Sequence, residues 1–346
     1  MPDLSSLDWD ALDRLRAVFL AREAAATGPY WKNQSTLAAY DATYGERIGW
    51  KWDALLAELR LRAWQPPVGT MLLDFGCGSG VAGRRILAAF GPNHFAGLSL
   101  IDHSPEAVAF AATRARTTFP SLKVQTTPEP IEPYTLVVSH VLNELAPEGR
   151  SELLALASRA SAVLWVEPGT HADGRALATV RDELRRAHRI VAPCTHRENC
   201  PLFIEANGRD WCHFFASPPP GVQNSPDWVR FAHRAGVDLR SQAYACLVLE
   251  NLSSAGSVLP ASVSARVLGR PEVFKPYARL LACDATGLHW LELAKRTDPA
   301  LVKRLTKDPP LPLYVLTHNG RKISAATPLF SPTAPAAATE CIDEDL

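Results

Sequence analysis

The chain has 346 residues, enough for one large domain or two and for a proper hydrophobic core. Hydrophobic residues make up 47%, and 36 Lys and Arg balance 36 Asp and Glu. Bulk charge therefore implies no polyelectrolyte partner, which would need a local basic patch, and no apolar run approaches the roughly 20 residues of a membrane span.

The first residues, MPDLSSLDWDALDRLR, mix acids with bases and lack the apolar centre of a signal peptide. A cytoplasmic, monomeric chain is expected. There, seven cysteines point to metal binding or reactive thiols rather than disulfides.

Residues 1–66 read as a helical region, with apolar residues at three-to-four spacing in LDWDALDRLRAVFLAREAAA and GWKWDALLAELRLRAW. Trp64-Gln65-Pro66-Pro67 closes it. Residues 67–189 then alternate. Strands are predicted at 70–75, 98–102, 123–126, 136–139 and 162–166, and helices at 81–90, 105–117 and 148–159. Ser104-Pro105-Glu106 supplies an N-cap, a proline at the first helical position and an early acid. This pattern predicts an α/β fold with a parallel sheet covered on both faces.

A further helix is predicted at 174–189. Residues 190–240, rich in Pro, Asn and Gly, read as an insertion. Residues 241–322 supply the remaining strands, at 244–249, 279–283 and 288–293, the last two joined by an Asp-Ala-Thr-Gly turn. The simplest organisation is one α/β domain whose sheet the insertion interrupts. Residues 323–346, mostly Ala, Pro, Thr and Ser before a final IDEDL, predict a disordered tail.

The core carries the motif DFGCGSG at residues 74–80, generic on its own. Gly76, Gly78 and Gly80 follow a short buried strand and precede a helix, so the backbone can turn sharply and approach a ligand. The helix N-terminus offers free N–H groups. Residues 78–83 also match G-x-G-x-x-G, which keeps a nicotinamide dinucleotide open. Asp74 argues against it, because a carboxylate sits poorly beside a pyrophosphate and suits a cationic amino group. Asp102, about twenty residues on at the next strand end, suits two ribose hydroxyls under either reading. The strand-end acid with G-x-G-x-G resembles the S-adenosylmethionine-dependent methyltransferases of the Rossmann-like class I fold. Their substrate-facing groups follow the fourth strand, here Ser-His-Val-Leu-Asn-Glu-Leu at 139–145. His140 and Asn143 are accordingly expected at the cofactor edge, and His140 is a candidate base. No Asn-Pro-Pro-Tyr-type motif is present.

The second motif is the segment APCTHRENCPLFIEANGRDWCHF at 192–214, with Cys194, Cys200 and Cys212. Three thiolates need a fourth ligand to complete a tetrahedral or cubane site. Candidates are His196, His213, Cys246 and Cys283. Cys283 is attractive at a strand end, whereas His213 adjoins Cys212 and Cys246 sits in an apolar strand pattern. Structural zinc is chemically plausible, and Pro193-Cys194 resembles the Pro-Cys nucleophile of cytosine-C5 methyltransferases.

EPGT at 167–170, APC-x-H at 192–196, Cys200-Pro201 and DWCHF at 210–214 together resemble the Rsm-type methyltransferase-like proteins of the ribosomal small subunit. These include mitochondrial ribosome-assembly proteins and bacterial relatives. The resemblance extends to LLACDATG at 280–287. It implies a 4Fe–4S cluster on Cys194, Cys200, Cys212 and, as best match, Cys283. Thr195 stands where a proline is expected. It also implies S-adenosylmethionine as cofactor, a role in small-subunit assembly or translation, and contact with rRNA. Alternatives are an active RNA or protein methyltransferase, or a small-molecule methyltransferase with structural zinc. Arg181, Arg185 and Arg189, with Arg186 beside them, form one basic helix face suited to phosphate contact. Lys303, Arg304 and Lys307 form a weaker patch.

Overall fold

The computed structural model describes residues 4, 7–21, 31, 33–127, 129–253, 264–307 and 313–329. Among the described residues, three helices open it: α1 (Trp9–Ala21), α2 (Gln34–Tyr40) and α3 (Glu46–Leu61). A π-helical turn, Asp41–Gly45, joins α2 to α3. Asn33 caps α2 by accepting from the Thr36 N–H.

A parallel sheet follows. β1 (Met71–Phe75), β2 (Gly97–Ile101), β3 (Val124–Gln125), β4 (Tyr134–Ser139) and β5 (Ala162–Pro168) alternate with α4 (Val81–Phe90), α5 (Pro105–Thr118), α6 (Pro147–Arg159) and α7 (His171–Leu184). Ser104 accepts from the Ala107 N–H and Pro105 opens α5, as the sequence predicts. Thr170 caps α7 by accepting from the Asp173 N–H. The sheet is completed by β6 (His188–Ala192), β7 (Phe214–Ala216) and β8 (Gln242–Asn251), with α8 (Pro226–Ala235) between the last two.

The strand order is β3-β2-β1-β4-β5-β8-β6, and β7 also pairs with β8. The first five strands are parallel, and β8 runs antiparallel to β5 and to β6. This is a Rossmann-like α/β sheet. The ten residues of β8 carry two partners on one edge, β6 at one end and β7 at the other. Residues 193–213 leave the sheet between those partners.

The rest of the chain departs from the sequence reading. Residues 241–322 are predicted to return to the same sheet, but only β8 does. β9 (Ser264–Val273), β10 (Tyr277–Asp284), β11 (Gly287–Ala294), β12 (Leu313–Asn319) and β13 (Lys322–Pro328) close into a separate barrel, ordered β10-β11-β13-β12-β9. A last helix, α9 (Pro299–Lys307), lies between β11 and β12. The interior is apolar, with Val267, Leu280, Leu291, Leu293 and Ile323 packed on Leu301 and Val302 of α9. The tail predicted from residue 323 is therefore corrected over its first residues: Ile323 is a buried barrel residue, and residues 330–346 lie outside the described ones. The predicted helix at 174–189 ends at Leu184, and Arg189 is in β6.

Barrel and sheet meet at a buried ion triad. Glu58 of α3 accepts from Arg62 at 2.8 Å and from Arg266 of β9. Arg62 also donates to the carbonyls of Val191 (2.8 Å) and Pro193 (3.1 Å), where the cysteine segment begins. Arg266 lies 3.8 Å over the Phe214 ring. Among the described residues, no helix is long and apolar enough to cross a membrane.

Candidate functional site

β1 ends at Phe75 and the chain turns at once into α4. Gly76, Gly78 and Gly80 have φ of 66°, 51° and 74°, the left-handed region that glycine enters at no steric cost. A Cβ at Gly76 would lie 2.6 Å from Val141, and one at Gly80 would lie 2.8 Å from Ala111. The loop is thus fixed by conformation and by close approach together.

Asp102 follows β2 and faces this loop. Its two oxygens accept from the Gly78 N–H and the Ser104 N–H, each at 2.9 Å. Asp102, Gly76, Gly78, His140 and Asn143 all line one cavity of about 800 Å³. That volume is ordinary for cofactor sites, which span roughly 300–1,000 Å³.

Asp74 departs from its sequence expectation. It is only 1% exposed and does not line the cavity. Its Oδ2 accepts from the Gly83 N–H at 3.1 Å, and its Oδ1 has no hydrogen-bond partner. Burial pushes its carboxyl up to about 7, against the Gly83 bond. The short β1–α4 connection turns Asp74 under the new helix, so it anchors the loop from behind. Gly80 is likewise outside the lining and acts through the turn.

The opposite wall comes from the N-terminal helices. Tyr40, Tyr44, Arg47, Ile48 and Lys51 recur at three-to-four spacing through α2, the π-turn and α3, and all line the cavity. Asp41, in the π-turn, pairs with Arg84 of α4 at 2.6 Å, and Arg84 donates to the Ser79 carbonyl at 2.6 Å. The helical region is thereby tied to the glycine loop.

Sequence reasoning did not single out Lys51. Its Nζ lies 3.1 Å from His140 Nε2. Burial pulls the Lys51 amine down to about 7, and the charge of Arg47 adds to this, while Glu167 and Asp173 oppose it. His140 has φ of 59°, and burial with the charge of Lys51 holds its imidazole well below the usual range. Glu167 beneath them accepts from Trp165 Nε1 (2.7 Å) and from the Leu142 (3.1 Å) and Val141 (3.3 Å) N–H groups. Burial raises its carboxyl to about 7 against those bonds. The signal that could have found Lys51 is the stripe Tyr44-Arg47-Lys51, which runs from the π-turn into α3 beside the apolar Trp50, Trp52 and Leu55.

The cysteine segment stands apart from this cavity. Cys194, Cys200 and Cys212 are half-buried and free, as is Cys283 at the end of β10. Burial first, and the charges of Cys194 and Cys200 next, raise the Cys283 thiol. Burial and Cys194 likewise raise Cys200 to about 11. These thiols therefore lie within electrostatic reach of one another, and Cys283 Sγ lies 3.6 Å from His196 Nε2. Among the described residues, no three His, Cys, Asp or Glu side chains stand close enough to enclose a single metal ion. Cys246 is 3% exposed in β8, where it belongs to the core.

The basic face predicted on α7 is not a free surface. Arg181 is 2% exposed and donates to the carbonyls of His196 and Glu198, to Asp182 and to Cys194. Arg185 donates to the Arg197 carbonyl and to Asn199. Arg189 pairs with Glu250. Only Arg186 of the four is exposed. The cysteine segment folds over the face and uses its guanidinium groups as internal struts. Of the weaker patch, the Arg304 and Lys307 side chains lie outside the described residues.

The family model described as "Mitochondrial small ribosomal subunit Rsm22" matches residues 52–294. A search of curated proteins returns no match. Solved structures similar in shape include the N-methyltransferase NodS from Bradyrhizobium japonicum WM9, at 15% identity over 58% of this chain and 96% of that one, with a TM-score of 0.36. The plantazolicin methyltransferase BamL, in complex with a substrate analogue and SAH, is 11% identical over 70% and 99%, with a TM-score of 0.39. A SAM-dependent methyltransferase from Leishmania major is 14% identical over 72% and 87%, with a TM-score of 0.36. At these distances the likeness carries no argument, and the fold is read from the strand order.

Proposed function

The chain belongs to the Rsm22 family of the mitochondrial small ribosomal subunit, and from that membership we propose a methyltransferase-like protein that binds S-adenosylmethionine and a 4Fe–4S cluster. It acts in small-subunit assembly or translation through contact with rRNA. The observation that carries the cofactor reading is the cavity where the glycine loop, Asp102 and the end of β4 meet. There the loop backbone lies against the ligand space, held by the bonds of the Gly76 and Cys77 N–H groups to the Ile101 carbonyl and of the Gly78 N–H to Asp102. The Asp102 carboxylate, already fixed by two backbone donors, offers its remaining lone pairs to ribose hydroxyls. Bound S-adenosylmethionine supplies an electrophilic methyl group.

A second reading, active methyl transfer to RNA or protein, is favoured by Lys51. An amine that is partly neutral near pH 7 can take the proton a nucleophile sheds at that wall. Methyl transfer from labelled cofactor to purified small subunits separates the two readings.

The cluster reading is supported by donor chemistry. Four free thiols gather from the cysteine segment and from β10, and thiolate is the usual ligand of iron–sulfur clusters. Cys194, Cys200 and Cys212 would hold the cluster from the sheet side, and Cys283 from the barrel, so its role is to join the two. The test is iron and sulfide per chain after purification without oxygen. Serine at any of the four should lower both, whereas Cys246→Ser should keep them. Bound zinc with no iron in the wild type would overturn the cluster reading.

A further inference from the structure

The barrel's connectivity is informative in itself. Its first three strands, β9, β10 and β11, form an antiparallel meander. A helix precedes the fourth strand, β12, which pairs with β9. The fifth, β13, closes the barrel by running parallel to β11. This is the OB-fold topology, in which the face of the second and third strands and the loop between the first two receive oligonucleotides or oligosaccharides.

That face carries stacking groups here. Phe274, in the β9–β10 loop, is 42% exposed and stacks on Tyr277 at 4.8 Å with planes 27° apart. The Arg279 guanidinium lies 4.8 Å from the Trp290 ring and 5.9 Å from the Phe274 ring. Arg279 pairs with Glu272, but both side chains are about two-fifths exposed, so that pair is weak and replaceable. The exposed Lys275 sits in the same loop, and the Lys295 N–H donates to the Pro276 carbonyl at 2.9 Å, which brings a second exposed lysine beside it. Aromatic rings interleaved with arginine, rimmed by lysine, suit unpaired bases and their phosphates. An oligosaccharide has no need of the cations.

We propose that the β9–β10 loop, with the Tyr277–Arg279 end of the outer face of β10, binds single-stranded RNA; the other end of that face, Leu281, Cys283, Leu288 and Trp290, packs against the sheet core. This rests on the family's reading for the partner's class, and it replaces the α7 face as the contact surface.

The test uses the full chain and a fluorescein-labelled twelve-nucleotide oligouridine, read by anisotropy. Phe274→Ala with Tyr277→Ala should weaken binding by about tenfold or more, in line with the loss of stacked bases. Lys275→Glu with Lys295→Glu, both exposed, should weaken binding and flatten its dependence on salt by roughly two phosphates. Unlabelled oligouridine should compete far better than a duplex of equal length or heparin. Wild-type affinity in both double variants overturns the proposal, as does equal competition by heparin. Retained oligouridine binding with lost small-subunit co-sedimentation would assign the face to a protein instead, and so also overturns it. Cofactor affinity and iron content, measured on the same variants, should be unchanged. Their absence from the wild type would refute the cofactor reading and leave this proposal to stand or fall on the anisotropy.

Discussion

Replacing Glu58 by Gln should destabilise the protein by about 3–5 kcal/mol, the usual cost of breaking a buried ion pair from one side. The magnitude follows from the burial of all three partners: Glu58 is 4% exposed, Arg62 6% and Arg266 2%. Arg62 would keep its bonds to the Val191 and Pro193 carbonyls. The amide oxygen that Glu58→Gln introduces can still accept from Arg266, but the Arg266 charge, whose Nε has no hydrogen-bond partner, loses the carboxylate it faces and keeps only the Phe214 ring beside it. Most of the cost therefore falls on Arg266 and on the joint between sheet and barrel. Against a typical stability of 5–15 kcal/mol, the loss is large. Urea unfolding followed by tryptophan fluorescence measures it. The triple variant Glu58→Leu, Arg62→Met, Arg266→Met should recover most of the loss, since apolar replacement of a whole buried ion group is often neutral or better. The pH dependence has a defined sign. Burial pushes the Glu58 carboxyl up, but Arg266 and Arg62 outweigh it and hold it below the usual range. Its stabilisation is thus present above the ordinary glutamate value of about 4.3 and is lost as pH falls through the lower folded value. The difference between wild type and Glu58→Gln should shrink in acid. A difference under about 0.5 kcal/mol at pH 7 would refute the reasoning.

Asp102→Ala should weaken S-adenosylmethionine binding by about 1–3 kcal/mol in calorimetry, because a charged acceptor is lost; unchanged affinity would remove Asp102 from the site. Lys51→Met should alter the alkaline side of the stability profile. The Lys51 amine titrates near 7 in the fold and near 10.4 when unfolded, so stability rises with pH between those values. The variant should lack that rise in urea midpoints at pH 7, 8 and 9. A slope equal to wild type would mean the amine is solvated.

The sheet was legible because its signals are local. Ser104-Pro105 starts α5 where a cap and a proline demand it, and the run Met71–Phe75 is buried along almost its whole length. The barrel was not legible, for equally physical reasons. β9 is interrupted by Arg266, Gly269, Arg270, Pro271 and Glu272, and β13 reads KISAATP, which composition alone assigns to a tail. Its defining contacts, β12 on β9 and β11 on β13, are long-range and leave no periodic trace. The arginines of α7 showed the opposite failure. Their spacing correctly gave one face, but spacing cannot say what covers it, and the cysteine segment does. The same limit hid Lys51, whose meaning lies in the burial around it rather than in its neighbours along the chain.

One helix links the parts. On α3, Lys51 faces the cofactor cavity, and Glu58, two turns further and about 10 Å along the axis, holds the barrel through Arg266. Arg62, one turn beyond, grips the start of the cysteine segment at Val191 and Pro193. The barrel end of that segment is met again by Cys283, on the strand that also carries Tyr277 and Arg279. The proposed ligand set, divided between segment and barrel, would tie β10 to the sheet only when complete. The ion triad, the Gly269 N–H bond to the His213 carbonyl and the burial of Leu268 and Leu281 in the sheet core hold the barrel as well. Removal of the proposed cluster should therefore loosen the barrel only in part, because Leu268 and Leu281 share one core cluster with Val137 and Leu164 of the Rossmann-like sheet.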